Sequence, residues 1–174
     1  MRKFFIALLV LSAISVQAAE TYILSGQVFF SPKGGAQGAI VEQIQNAKSS
    51  IYVQAYSFTS KPIIEALVRA QKRGVNVIAI LDKSNVSGKY SAADLIDHFG
   101  VGTLIDGKHK IAHNKVMIID QEIVITGSFN FSKAAEEDNA ENLLVMKSPQ
   151  LADAYYQNWE KHLKHSDPYI GRDR

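Results

Sequence analysis

No cysteine occurs among the 174 residues. That absence excludes a disulfide framework, a thiolate zinc site and a cysteine nucleophile together. No segment repeats, and none is of low complexity. With 47% hydrophobic and 21% charged residues, the chain is not disordered, collagen-like or a coiled coil. No apolar run reaches the ~20 residues that a membrane-spanning helix requires.

A surplus of charge is also missing once the N-terminus is set aside. Arg2 and Lys3 precede an apolar run, Phe4 to Leu11, that fades through Ser12 to Ala18. A positive start, a short apolar stretch and small residues at the end describe a secretory signal peptide. Val16 and Ala18 suit the −3 and −1 positions of a cleavage site. The expected organisation is a cleaved segment at 1–18 followed by a single domain at 19–174. Cleavage removes two of the 19 basic residues and none of the 17 acidic ones, so the mature chain has no formal net charge. A nucleic-acid partner must therefore be argued from local chemistry. Export without cysteines leaves stability to the packing of the core.

The remaining chain alternates strand and helix signals. Gln27 to Ser31 reads as a short strand, with a turn at Pro32-Lys33-Gly34-Gly35. Ile40, Val41, Ile44 and Ala47 then recur at helical spacing. Ser50 to Ser57 is rich in β-branched and aromatic residues and reads as a strand. Ser60 and Pro62 open a second helix, which Gly74 stops. Val75 to Leu81 has the continuous apolar character of a strand covered on both faces. Ser91 to Phe99 reads as a short helix. Two further strands, Lys115 to Ile119 and Ile123 to Thr126, join through Asp120-Gln121-Glu122 as a hairpin. A short helix at Ser132 to Asp138, a strand at Asn142 to Met146 and a helix opened by Pro149 complete the pattern. In that last helix Leu151, Tyr155, Trp159 and Leu163 repeat every fourth residue. The implied fold is α/β, a mixed β-sheet sandwiched between α-helices.

The chemistry is concentrated between His113 and Asn130. Alternate side chains of a strand share a face, so His113 and Lys115 point the same way. The hairpin carries Gly127-Ser128-Phe129-Asn130 back beside them. An imidazole, an ammonium, a hydroxyl and a carboxamide then converge, a set suited to a phosphate ester. Backbone N–H groups of the Gly127-Ser128 turn are expected to add donors for the anion. His98, His109, His162 and His165 read as packed or surface histidines, and Asp120 as a structural hairpin corner.

His113-x-Lys115-x4-Asp120, followed by Gly127-Ser128-x-Asn130, resembles the signature of the phospholipase D superfamily. Val53 to Thr59, the helix from Ser60 to Gly74, and Leu81-Asp82-Lys83-Ser84 look like its small bacterial endonuclease branch. The resemblance covers essentially the whole mature chain. It implies a phospholipase D-like fold and a phosphohistidine intermediate formed on His113. Lys115 and Asn130 would bind the phosphate and Ser128 would support them. Glu141 matches a glutamate that hydrogen-bonds the catalytic histidine in that branch. The resemblance also favours the periplasm of a Gram-negative bacterium over full secretion.

In-line displacement needs a nucleophile on one side of phosphorus and a proton donor on the other. Larger family members resemble two fused halves, whereas this chain carries one His-x-Lys-x4-Asp motif. The expectation is a homodimer whose two His113 side chains meet across a two-fold axis. Metal hydrolysis would need clustered ligands with an open position. Asp106, His109 and His113 are conceivable, but Lys108, Lys110 and Lys115 surround them, so neither a metal nor a cofactor is expected.

The expected activity is a metal-independent phosphodiesterase, a sequence-nonspecific endonuclease acting on DNA or RNA. Lys108, Lys110, Lys115 and Lys133 supply local positive charge, and Tyr56 and Phe58 would flank a groove. The alternatives are a phospholipase D acting on phospholipid headgroups and a nonenzymatic binding module with a vestigial site. No membrane association of the mature chain is expected, although Tyr155, Tyr156 and Trp159 give the last helix aromatic character.

Overall fold

The computed structural model describes residues 22, 25–86 and 91–171, so the expected signal segment lies outside the described residues. The elements run β1 (Ser25–Ser31), α1 (Ala36–Asn46), β2 (Ser50–Ala55), α2 (Lys61–Lys72) and β3 (Asn76–Asp82). After a 3-10 turn at Lys83–Val86 come α3 (Ala92–His98), β4 (Gly102–Asp106), β5 (Lys115–Ile119) and β6 (Ile123–Gly127). The chain closes with α4 (Lys133–Glu137), β7 (Glu141–Lys147), α5 (Pro149–Leu163) and β8 (Asp167–Pro168). All eight strands form one mixed sheet in the order β1-β7-β6-β5-β2-β3-β4-β8. Only the β2–β3 and β3–β4 pairs within it are parallel. The expected mixed sheet between helices is what the chain forms.

Period-two alternation sorts the core into two layers. Ile51, Val53, Val77, Ala79, Met117 and Ile119 face the larger cluster, which α1 and α2 cover with Ile40, Ile44, Ile63 and Leu67. Tyr52, Ile80, Val116, Ile118 and Val124 face the other way, under α5. Every residue of β2 and β5 is buried, as expected for strands covered on both faces. Trp159, 1% exposed, anchors α5 by donating its indole N–H to the Val53 carbonyl at 3.0 Å. The aromatic repeat of the last helix is therefore core. No helix among the described residues is long and apolar enough to cross a membrane.

Two strands had no counterpart in the sequence reading. Gly102–Asp106 is only five residues long, and Asp167–Pro168 only two. Neither carries enough alternation to stand out, and both exist because β3 offers an edge on which β4 and then β8 can add. Helix starts follow local capping where the sequence provides it. Ser91, Ser132 and Ser148 each accept an N–H from the first turn. Ser60 does not; its hydroxyl donates to Gln37 Oε1 at 2.7 Å and ties α2 to α1.

The β5–β6 turn is held from below. Asp120 and Gln121 have φ of 54° and 55°, the left-handed pair at the centre of a turn that the Glu122 N–H closes onto the Ile119 carbonyl at 3.0 Å. The Asp120 carboxylate accepts the backbone N–H groups of Lys48, Ser49 and Ser50 at 2.7–3.2 Å and the Ser49 hydroxyl at 2.9 Å. Partial burial pushes its pKa up, but those hydrogen bonds outweigh it and leave the pKa below the usual carboxylate range. Because the folded-state value is depressed, the stabilisation is present above the unfolded value and lost as pH falls through the folded one.

Two stability predictions follow from this frame. Asp120→Ala should cost about 2 kcal/mol at neutral pH in urea unfolding. The deficit relative to the parent should shrink as pH falls below about 4, the unfolded carboxylate value, and vanish only below the lower folded one. At the other end of β6, Gly127 has φ of 152°, and a Cβ there would lie 2.2 Å from the Asn142 carbonyl oxygen. Gly127→Ala should therefore destabilise by about 2 kcal/mol or more, read as a lower urea midpoint.

Candidate active site

The sheet end formed by the starts of β5 and β7 and the end of β6 gathers the polar residues of the motif. Register places Lys115 opposite Ala55 and Gly127 opposite Leu143. The β2 extension crosses the same end, with the Tyr56 N–H bonded to the Asn114 carbonyl at 2.9 Å. Farther along, the Thr59 and Ser60 N–H groups donate to the Phe131 carbonyl. These bonds bring the stretches before β5 and after β6 to one rim.

His113 is exposed, and Lys115 is 7% exposed. Lys115 Nζ lies 3.0 Å from His113 Nδ1 and donates to the His113 carbonyl at 2.7 Å. Among the described residues, His113 Nε2 has no hydrogen-bond partner. The Tyr56 ring packs against the imidazole with centroids 4.6 Å apart, and Lys115 Nζ sits 5.2 Å from the same ring centre. Burial lowers the Lys115 pKa, while the Glu141 carboxylate opposes that shift. The site thus holds an ammonium that is poorly solvated and short of anionic partners, a good setting for a phosphate oxygen.

Ser128 and Glu141 form the second part of the rim. Ser128 Oγ donates to Glu141 Oε2 at 2.5 Å and accepts the Asn142 N–H at 3.1 Å. Asn139 Nδ2 donates to the other Glu141 oxygen at 3.1 Å. The Glu141–His113 hydrogen bond implied by the family pattern is not the one formed: His113 Nδ1 faces Lys115, and Glu141 acts on Lys115 through charge. The Ser128 and Phe129 N–H groups are not free for an anion either. Both donate to the Asn142 carbonyl, at 3.1 and 3.2 Å, because β7 runs alongside the turn.

Asn130 is half-buried, and its buried Oδ1 has no hydrogen-bond partner, as is also true of Gln54 Nε2 on β2. Asp120 lies at the far end of β5, roughly 17 Å from Lys115 at the usual strand rise, and serves the hairpin alone. Phe58 is 0% exposed and packs edge-on against Phe131 at 6.1 Å. It is core, and only Tyr56 of the expected aromatic pair reaches the site. Lys133 is paired with Glu137 at 3.3 Å, whereas Lys108 and Lys110 are exposed on the loop that leads to His113.

Sequence reasoning missed Asp82. At 3% exposure on the end of β3, it accepts the Ala112 N–H at 2.7 Å and the Ser84 N–H at 2.9 Å. It thereby holds the residue just before His113. It also passed over His162-Leu163-Lys164, which repeats the His-x-Lys spacing at the end of α5. Tyr169 stands where the motif requires aspartate, so the full motif occurs once. His109, His162 and His165 are not independent packed or surface histidines, since all three rings approach Asp106. His98 remains on the surface of α3, beside Phe99.

Residues 40–163 match the family model described as the PLD-like domain of cardiolipin synthase. A protein named phospholipase D from Rickettsia typhi is 46% identical over 130 residues, covering 75% of this chain and 64% of the relative. The chain thus spans a little under two thirds of that curated relative. Mitochondrial cardiolipin hydrolase from Xenopus laevis is 26% identical over 129 residues, covering 74% of this chain and 61% of that protein. Among solved structures, the phospholipase D family member Nuc from Salmonella typhimurium superposes with a TM-score of 0.81 at 39% identity. The match covers 86% of this chain and all of Nuc. NucT from Helicobacter pylori gives a TM-score of 0.78 at 28% identity, covering 84% and 100% of the two chains. Motif, sheet topology and similarity along most of the sequence agree, and the chain belongs to the phospholipase D superfamily.

Proposed function

We propose that the chain is an exported, metal-independent phosphodiesterase, a sequence-nonspecific endonuclease cleaving DNA or RNA through a phosphohistidine on His113. The observation that carries this reading is the His113–Lys115 contact at 3.0 Å with Nε2 left open. Substrate phosphate draws the Lys115 ammonium off Nδ1 and onto a non-bridging oxygen; the ring proton then moves from Nε2 to the vacated Nδ1, which frees the Nε2 lone pair. Nε2 then attacks phosphorus in line, a P–N bond forms, and the ester P–O bond breaks. The leaving oxygen takes a proton from His113 of the partner subunit. That same imidazole next removes a proton from water, whose oxygen attacks phosphorus and releases the nitrogen. Asn130 contributes its carboxamide to the phosphate, and Ser128 with Glu141 stiffens the rim beside Lys115.

The dimer has its own support. Val28 is 53%, Phe30 64% and Leu144 38% exposed, an apolar group on the edge of the sheet. Register pairs Val28 with Leu144 and Phe30 with Asn142, one residue from Glu141. An exposed apolar patch beside the site fits a two-fold contact that brings two sites together. For substrate, exposed Lys108 and Lys110 and the Tyr56 ring favour a nucleic-acid strand. The names of the curated relatives favour a second reading, hydrolysis of a phospholipid headgroup.

In excess EDTA the protein should nick supercoiled plasmid, and His113→Ala should lose at least about a thousandfold in rate. Equal rates for both proteins would remove His113 from the chemistry. Cleavage restored only by added magnesium would overturn the metal-free mechanism. Turnover of cardiolipin or phosphatidylcholine vesicles without plasmid cleavage would select the lipid reading. Phe30→Glu should move the protein from dimer to monomer in analytical ultracentrifugation and lower activity in parallel; an active monomer would reject the shared site.

A further inference from the structure

On the far side of the loop that delivers His113, four metal-ligating side chains converge. Asp106 ends β4 and is fully buried, at 0% exposure. His162 Nδ1, His109 Nδ1 and His165 Nε2 lie 2.8, 3.0 and 3.3 Å from its Oδ2. The three rings stand at mutual centroid distances of 5.0–5.2 Å. One ligand atom from each of the four residues falls within 4.8 Å of all the others. We propose that Asp106, His109, His162 and His165 form a structural site for zinc(II), separate from the catalytic His113.

The donor set and spacing select the ion. Zinc bonds imidazole nitrogen and carboxylate oxygen at about 2.0–2.2 Å in a tetrahedron, so neighbouring donors should sit about 3.3 Å apart. The three nitrogen–oxygen distances already approach that value. Calcium and magnesium prefer oxygen ligands and would find one carboxylate here. Four protein ligands close the coordination sphere, which suits a structural ion and leaves no position for a reacting water. The second carboxylate oxygen has an outer partner, accepting the Lys108 N–H at 3.1 Å. The Lys108 and Lys110 side chains are exposed and their charge is carried by solvent, which weakens the electrostatic objection to a cation.

Binding requires each ligating nitrogen to present its lone pair. The ring proton moves to the other nitrogen, and any extra proton held by the cluster is released. The ion would join three parts of the fold: the end of β4, the last turn of α5 with the turn that follows it, and the 107–112 loop. That loop is also held by Lys83 Nζ, which donates to the His109 carbonyl at 3.0 Å, and by Asp82 at Ala112. The site is therefore a staple that steadies the approach to His113 without touching the reaction.

The test is metal content and stability of the purified protein after loading with zinc(II) and desalting. The parent should retain about one zinc per chain. Cobalt(II) in its place should give the strong visible absorption of a four-coordinate ion. Zinc at a hundredfold excess over its dissociation constant should raise Tm by about 5–10 °C. His109→Gln/His165→Gln should keep its circular dichroism and lose both the zinc and the shift. Should that double variant misfold, His165→Gln alone should bind zinc at least about tenfold more weakly in chelator competition. A folded parent that retains no zinc, or variants that retain as much as the parent, would overturn the site. Phosphodiesterase activity is measured separately, below the Tm of the zinc-free protein. A zinc-stripped, folded and inactive parent would count against the metal-free reaction, while the zinc content alone decides the staple.

Discussion

One carboxylate sets the register on which the site depends. Asp120 binds three consecutive backbone N–H groups at the start of β2 while its own backbone turns β5 into β6. The β2–β5 pairing then fixes which β5 side chains face the helices of each layer. A slip of one residue would exchange the faces, sending Lys115 to the layer of Val116 and Ile118. The aspartate of the motif therefore acts from the opposite end of the strand. Its distance from His113 is the length of β5, and its influence is carried by strand geometry.

At the near end, the rim is rigid because its polar groups are already engaged. Asn142 accepts the Ser128 and Phe129 N–H groups, and Gly127 supplies the close backbone approach that this needs. Ser128 in turn holds Glu141. His113 Nε2 and Asn130 Oδ1 have no partner among the described residues, and the Lys115 ammonium is held only by the His113 carbonyl and Nδ1. An anion entering the site meets few competing internal bonds at these groups, while their supports are fixed. That division between engaged scaffold and available ligands is what preorganisation means physically.

The segment between β4 and β5 links two chemistries. Its start at Asp106 faces three imidazoles, and its end at Ala112 is bound to Asp82. His113 follows directly. A strand with no periodic signal, β4, thus becomes important because of where it ends. The apolar edge at Val28, Phe30 and Leu144 is similar: its residues matter through their shared position on neighbouring strands.

The α/β alternation, the hairpin and the His-x-Lys-x4-Asp and Gly-Ser-x-Asn motif of the superfamily were legible in the sequence. Their signals are local: period-two apolar alternation, the polar break Asp120-Gln121-Glu122 between two apolar runs, and polar residue types at short fixed spacing. Tertiary structure decided what depends on partners far away in the chain. It spent the Ser128 and Phe129 N–H groups on Asn142, turned Glu141 to Ser128, buried Phe58 and enlisted Asp82. It also joined Asp106 and His109 to His162 and His165, pairs more than fifty residues apart. Spacing along a chain reports which side chains share one element's face. Only the packing of β4 against the end of α5 determines that these four share a point in space.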